Sequence, residues 1–205
     1  IAPGIAKHEE EIVLAPGADP KSDPCLALRA AVAAAEFGLP IAPGTLQNLK
    51  SCPIDDRTWN DESRSLFLRL LASGPALLQV WEEIDFVDIP GRLIPEWLAI
   101  RNRPSASAAH RYTIDRHSVE VVTRLGRETP RGNRYDDRHY QALLLAGILH
   151  DVGKRPGVFD HAAEGARHAS MVLKRMGFDR DIIWWVTLLV REHLTLSEFA
   201  TGQNP

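Results

Sequence analysis

Cysteine is nearly absent from this chain. Cys25 and Cys52 are its only two, too few for a disulfide framework and without the companions of a cysteine-type zinc site. A reducing cytoplasm is the expected home. Long hydrophobic runs are missing as well. The longest, residues 142–149, makes about one strand or two helical turns, far short of the roughly 20 apolar residues that span a bilayer. No charged segment, apolar core and cleavage site open the chain, so no secretory signal is read, and no membrane partner is expected. Charge of one sign is lacking too: 24 Lys and Arg against 27 Asp and Glu leave a formal net charge of −3, not the balance of a general nucleic-acid binder. What remains is a globular composition, 44% hydrophobic and 25% charged over 205 residues, with room for one large domain or two small ones. The chain starts at Ile1 rather than Met and stops at Pro205 in sequence that reads as unfinished loop. It is expected to be a piece of a longer protein.

Strand signals are scarce, and no internal repeat or low-complexity tract is present. Residues 1–20 hold three prolines and two glycines around one short apolar run, Ile12-Val13-Leu14, and read as an extended tail of a preceding domain. The rest has helical period. Ser22 or Asp23 can cap a helix with Pro24 in its first turn, running to Phe37 and stopping at Gly38. A second short helix is expected over 45–52. A third, capped by Asn60 or Asp61, carries Leu66, Leu68, Leu70 and Leu71 and ends near Gly74-Pro75; a fourth covers 76–86. Pro90, Gly91 and Pro95 then break the pattern, and Pro104-Ser105-Ala106-Ser107 reads as a boundary loop. Beyond it the composition shifts: seven of the eight histidines lie at or after His110. Helices are expected over 112–127, 136–150, 162–176 and 180–193, with apolar residues such as Leu144, Leu145 and Ile148 at helical spacing. The expectation is an all-α chain: an extended tail (1–20), a helical connector (21–107) and a helical bundle (108–205).

The bundle is where chemistry gathers. His150-Asp151 closes an apolar helix and is followed by Val152-Gly153-Lys154. An imidazole and a carboxylate there can bend toward one ion, Gly153 lets the chain turn away, and Lys154 offers a cation to a phosphate. His117 lies on the preceding helix, His161 begins the following one and His193 ends the last. Facing helices of a bundle can converge such ligands. Imidazole and carboxylate donors suit zinc, manganese or iron with positions left open for water. A lone helical histidine is more often an ordinary surface or core residue, the reading kept for His8 and His139. His168, seven residues after His161, shares its helix face and supports the ligands or is merely solvated.

These residues resemble the HD superfamily of metal-dependent phosphohydrolases. The stretches "HRYTIDRH" (110–117), "LLLAGILHDVGK" (143–154), "DHAAEGA" (160–166) and "LVREHLTLS" (189–197) are similar to the HD domain of bifunctional PII uridylyltransferase/uridylyl-removing enzymes, which run like "YTVDEH", "LFHDIAK", "DHSELGA" and "VRHHLLMS". Residues 21–103, with Pro95-Glu96-Trp97, resemble the connector that precedes that domain. The resemblance implies an HD bundle holding one or two divalent ions (Mn, Mg, Fe or Zn) on His117, His150, Asp151, His161, His193 and, closing the set, the residue at Asn204. It also implies a longer chain with nucleotidyltransferase and ligand-sensing ACT domains, neither of which lies in this sequence. The activity implied is removal of UMP, or AMP in some lineages, from a tyrosine of the PII nitrogen-signal protein when glutamine is plentiful. Two departures stand out. Asn204 sits where the family's "DTATRRDLDDP" places an aspartate, and an amide binds a divalent ion less strongly. Glu192 replaces a frequent histidine, a milder change.

On this reading a metal held by His117, His150 and Asp151 drives hydrolysis of a tyrosyl nucleotide phosphodiester, His161, His193 and Glu192 hold a second ion or contact the phosphate, and Asp151 and Lys154 are the catalytic residues. Arg116 and Arg191 are candidate phosphate contacts. Two other readings stay open: an HD phosphohydrolase acting on a free nucleotide, guanosine tetraphosphate or a cyclic dinucleotide, and a catalytically degenerate module that relays the glutamine signal. Trp59, Trp81 and Trp97 are expected in a packed core. Trp184-Trp185 is different, because neighbours on a helix point about 100° apart; one of the two should meet another layer, a missing domain or a partner.

Overall fold

The computed structural model describes residues 1–55, 58–104, 112–128 and 137–195. His110, most of the expected boundary loop, Ser197 and Asn204 lie outside the described residues. The described chain divides into two compact units, one of residues 1–95 with 122–128 and one of residues 96–121 with 137–195.

The first unit opens with a hairpin. Strands β1 (Ile5–His8) and β2 (Glu11–Leu14) pair antiparallel, with Ile5 opposite Leu14. The expected extended segment is thus a paired one: Ile5 and Ile12 are buried, and Ile12 exchanges backbone hydrogen bonds with Pro40 and Ala42. Helix α1 (Leu26–Phe37) is buried along most of its length, its alanines admitting neighbours closely. Its regular part starts two residues past Pro24, and the Asp23 carboxylate accepts from the Cys25 N–H in the turn that leads into it. It stops where expected, at Gly38, whose φ of 64° closes the end at no steric cost.

Helix α2 (Pro43–Leu49) begins earlier and ends sooner than its apolar pattern suggests. Pro43 fills a first-turn position where no N–H is needed, and the Lys50 and Cys52 carbonyls past its end accept from Arg92 instead. Helix α3 (Asp61–Leu71) has the expected Asn60 cap, completed by Ser63 in a reciprocal pair of hydrogen bonds. Helix α4 (Ala76–Phe86) has the expected bounds. Pro90 and Gly91, expected as breakers, instead lie within a short helix α5 (Ile89–Leu93), Pro90 in its first turn. Pro95–Ala99 forms a 3-10 helix.

The second unit is the expected bundle. Its helices are α6 (Ile114–Glu128), whose residues from 122 on count with the first unit, then α7 (Arg138–Leu149), α8 (His161–Arg175) and α9 (Arg180–Arg191). Three start on an aspartate cap: Asp137, Asp160 and Asp179 each accept from backbone N–H groups of the first turn. Helix α9 packs on both α7 and α8. Leu144, Leu145, Ile148, Val172, Leu173, Val186 and Val190 fill the space between them. The start of α6 is pinned by its buried Asp115, which accepts from the Asn102 N–H at 2.8 Å. The end of α8 is held by Arg175, which donates to both carboxylate oxygens of Glu96 at 2.9 and 2.6 Å. Trp97 is buried in this unit, whereas Trp81, buried, and Trp59, edge-on to Phe67 at 5.5 Å, belong to the first. Among the described residues no helix is long and apolar enough to cross a membrane.

Candidate metal centre

Each bundle helix delivers one imidazole. His117 stands in the first turn of α6, His150 caps the end of α7, His161 opens α8 and His193 follows the end of α9. Their rings form a chain of edge-on contacts: His117 to His150 at 5.3 Å, His150 to His193 at 5.2 Å, His193 to His161 at 5.5 Å. Asp151 lies at the middle, only 1% exposed. Two groups of three result, His117–His150–Asp151 and Asp151–His161–His193, each with its donor atoms within 4.8 Å of one another. Asp151 belongs to both.

The hydrogen bonds fix which atoms are free to ligate. His150 Nδ1 lies 2.9 Å from the Gly147 carbonyl and His193 Nδ1 2.6 Å from the Val190 carbonyl. A carbonyl only accepts, so both Nδ1 atoms carry a proton, which leaves Nε2 as the atom that each ring, when neutral, offers to an ion. Asp151 Oδ2 sits 2.8 Å from Lys154 Nζ and 3.3 Å from His150 Nε2, while Oδ1 is 3.7 Å from His193 Nε2. Asp151 Oδ1, His161 Nε2 and His193 Nε2 are buried with no hydrogen-bond partner among the described residues. Three electron-rich atoms left bare beside one another cost free energy unless a cation joins them. The donor set therefore fits a divalent metal ion, with nitrogen and oxygen ligands of the kind that zinc, manganese and iron accept.

Electrostatics agree. Burial opposes ionisation of Asp151, but His150 and Lys154 outweigh it and hold the carboxyl well below the usual range. Burial pushes the His161 and His193 imidazoles down, with the Lys154 charge adding to the effect at His161. The two rings are neutral, as ligation demands, at ordinary pH.

A close approach of backbone to backbone holds the two groups together. A Cβ on Gly153 would stand 2.2 Å from the His161 carbonyl oxygen and 2.4 Å from the Gly165 nitrogen, and one on Gly165 3.1 Å from the His150 oxygen. Gly153 is not among the left-handed glycines. Its bare Cα is needed not to turn the chain but to let α8 begin directly against the His-Asp turn. Glu164 and Gly165 had no assigned role in the sequence; a glycine inside a helical pattern was the available signal.

Other sequence candidates sit elsewhere. Arg116 pairs with Glu120 at 3.2 Å and lies over the Tyr112 ring. Arg191 lines a groove between α8 and α9. Glu192 is exposed and accepts from Thr195 at 2.8 Å. His168 joins neither group: it is buried and bonded to Glu164 at 2.9 Å, and Arg167 with His168 brings the Glu164 carboxyl down to about 2. His139 packs against Trp185, and His8 is exposed on β1.

No family model matches the chain. Comparison with curated proteins finds bifunctional uridylyltransferase/uridylyl-removing enzymes. The chain is 40% identical to that of Streptomyces coelicolor over 206 aligned residues, covering all of this chain and 24% of the relative. It is 38% identical to that of Mycobacterium tuberculosis, over 98% of this chain and 24% of the relative. It is 33% identical to that of Corynebacterium glutamicum, over 90% of this chain and 26% of the relative. The chain thus spans about a quarter of the length of these relatives. Over its whole length it matches one segment of the bifunctional uridylyltransferase/uridylyl-removing enzymes, and in that segment it carries the helical His-Asp bundle and metal-binding residues of an HD domain.

Proposed function

We propose that this chain is the hydrolytic portion of a longer bifunctional protein, and that it removes UMP or AMP from a tyrosine of a PII signal protein. The observation that carries the reading is the pair of ligand groups sharing Asp151, in a chain similar throughout to proteins named as uridylyl-removing. A transferase and sensor portions of the same polypeptide, and a PII partner, belong to this proposal.

His117, His150 and Asp151 would hold one ion, and His161, His193 and Asp151 a second; Asn204 remains a candidate to close the set. A bound divalent ion supplies Lewis acidity to a phosphoryl oxygen and a more acidic water. The protein's own groups do the rest. The Gly147 and Val190 carbonyls keep the His150 and His193 rings in the ligating tautomer. Asp151, held far below the ordinary carboxyl range, is a poor base, so its part is to bind cations rather than to take a proton from water. Lys154 Nζ, 21% exposed at the side chain and touching Asp151, can swing to the non-bridging oxygens as negative charge grows there. In the reaction water adds to phosphorus, the bond from phosphorus to the tyrosine oxygen breaks, and that oxygen takes up a proton. A nucleoside monophosphate leaves.

The test is incubation with nucleotidylated PII protein and manganese, reading released UMP or AMP by chromatography. Free nucleotides, guanosine tetraphosphate and a cyclic dinucleotide run alongside, with His150→Ala as control. Release from the protein alone, lost in the control, is expected. Release only from a small nucleotide would transfer the activity to another substrate class. Metal binding with no release from any of them would leave the relay role.

A further inference from the structure

The outer face of α9 is apolar where a surface helix is ordinarily polar. Trp184 is 58% exposed, and Trp185, Leu188 and Leu189 are 38% exposed each. Positions 184, 185, 188 and 189 form one stripe, about half a turn round from the buried Val186 and Val190. Helix α9 therefore carries a second apolar stripe besides the buried one, with Arg180, Thr187 and Arg191 along one side of it. Met171 of α8 and Leu143 of α7 are also exposed. A continuous patch of this kind marks an interface.

On the α8 side the patch deepens into a groove of about 400 Å³. Ile183, Trp184 and Leu188 line it, and so do three cations, Lys174, Arg180 and Arg191. No carboxylate is among the described residues that line it, in a chain whose net charge is −3. We propose that this face is covered by an amphipathic helix of the same polypeptide, outside these 205 residues. Its apolar stripe would lie on Trp184 and Leu188, and its carboxylates would run along the edge beside Lys174, Arg180 and Arg191.

Three arguments select this occupant. An apolar groove lined by two helices takes a third through anchors at i, i+3 or i+4 and i+7. The cationic edge calls for acid. The relatives are about four times longer than this chain, so a polypeptide of that length has ample sequence to supply the helix. A second copy of the chain fits worse. In an antiparallel pairing across a two-fold axis each edge of the stripe meets the same edge of its mate, which would set Lys174, Arg180 and Arg191 against themselves.

Hydroxyl-radical footprinting of the tryptophans tests this, comparing the 205-residue chain with the full-length polypeptide. The expected result is oxidation of Trp184 and Trp185 that slows about tenfold or more in the longer protein, independent of protein concentration. The buried Trp97 serves as the reference and stays slow in both. Lys174→Glu with Arg180→Glu in the longer protein should restore the fast rate while metal content and Trp97 oxidation stay unchanged. Equal rates in the two proteins would overturn the proposal, as would protection that appears only as concentration rises, the mark of a second copy. Protection that survives the charge reversal would overturn the acidic edge.

Discussion

Replacing Asp151 by Asn is the most informative single change, because the side chain keeps its volume and loses only its charge. Asp151 is the one residue shared by both ligand groups, so neither should hold a divalent ion well in the variant. The size of the effect can be worked out. Metal supplied at about a hundred times its dissociation constant stabilises the native chain by ~2.7 kcal/mol, and for a chain of this length 1 kcal/mol moves Tm by roughly 2–4 °C. The unchanged protein should therefore gain roughly 5–11 °C from manganese, and Asp151→Asn close to nothing. The variant should also be weaker in chelator. Breaking a buried ion pair costs about 3–5 kcal/mol, but Lys154 reaches water at 21% exposure, which reduces the expected loss to about 1–3 kcal/mol. Thermal melts in manganese and in chelator, with calorimetric titration of the ion, measure both effects. A variant that keeps the manganese-dependent rise would refute the shared-ligand arrangement. One that melts no lower in chelator would refute the net favourable pairing of Asp151 with Lys154.

Lys154→Met should separate stability from ligation. Asp151 loses its 2.8 Å partner, so the melting point in chelator falls by an amount corresponding to about 1–3 kcal/mol, yet the rise on adding metal grows because no ammonium competes for Oδ2; a smaller rise would contradict this. The bundle in chelator should also weaken as pH drops from about 7.5 to about 5.5. Burial depresses the His161, His168 and His193 imidazoles, so the unfolded chain takes up protons first. Stability is full above the unfolded histidine range and is lost as pH falls through it toward the lower native values; melts unchanged across the interval would count against the buried neutral rings. Gly126→Ala should destabilise the first unit. The added methyl would sit 2.8 Å from the Gly74 backbone, and about 1–3 kcal/mol of overpacking exceeds the ~1 kcal/mol of helix propensity gained. A higher denaturation midpoint would show that the backbone yields.

Much of this fold could be read before any coordinates, and the legible parts share a cause. Helix ends are decided within four residues, so the Asn60 cap and the Gly38 stop announce themselves locally. The misplaced ends answer to something further away. Helix α2 stops short of Cys52: the next N–H groups reach back three residues rather than four, Ser51 to Asn48 and Cys52 to Leu49, and Arg92, some 40 residues on, donates to the Lys50 and Cys52 carbonyls beyond. Pro90 reads as a breaker by composition, yet a first-turn position tolerates it, and burial of Ile89 and Leu93 is enough to form α5 around it. The pairing of β1 with β2 was hidden for a similar reason: its apolar residues are few, and Ile12 is held as much by Pro40 and Ala42 as by the hairpin.

The site divides in the same way. That four helices each bring an imidazole toward one His-Asp turn was visible in spacing alone. That Asp151 belongs to both groups of imidazoles was not, since this depends on how near α8 comes to that turn. The distance is set by two residues without side chains, Gly153 and Gly165, whose backbones meet where any Cβ would intervene. Sequence assigned Gly153 a turning role, and the packing gives it a spacing role. The consequence reaches the chemistry. With α8 held this close, Asp151 turns Oδ2 to His150 and Lys154 and Oδ1 to the His193 side, so one buried charge serves two ligand groups. Lys154 is then the internal cation against which an arriving metal competes for Oδ2, while Oδ1 has no hydrogen-bond partner among the described residues. The two oxygens of one carboxylate thus meet a metal on unequal terms, an asymmetry that follows from the packing of two glycines rather than from the identity of any ligand.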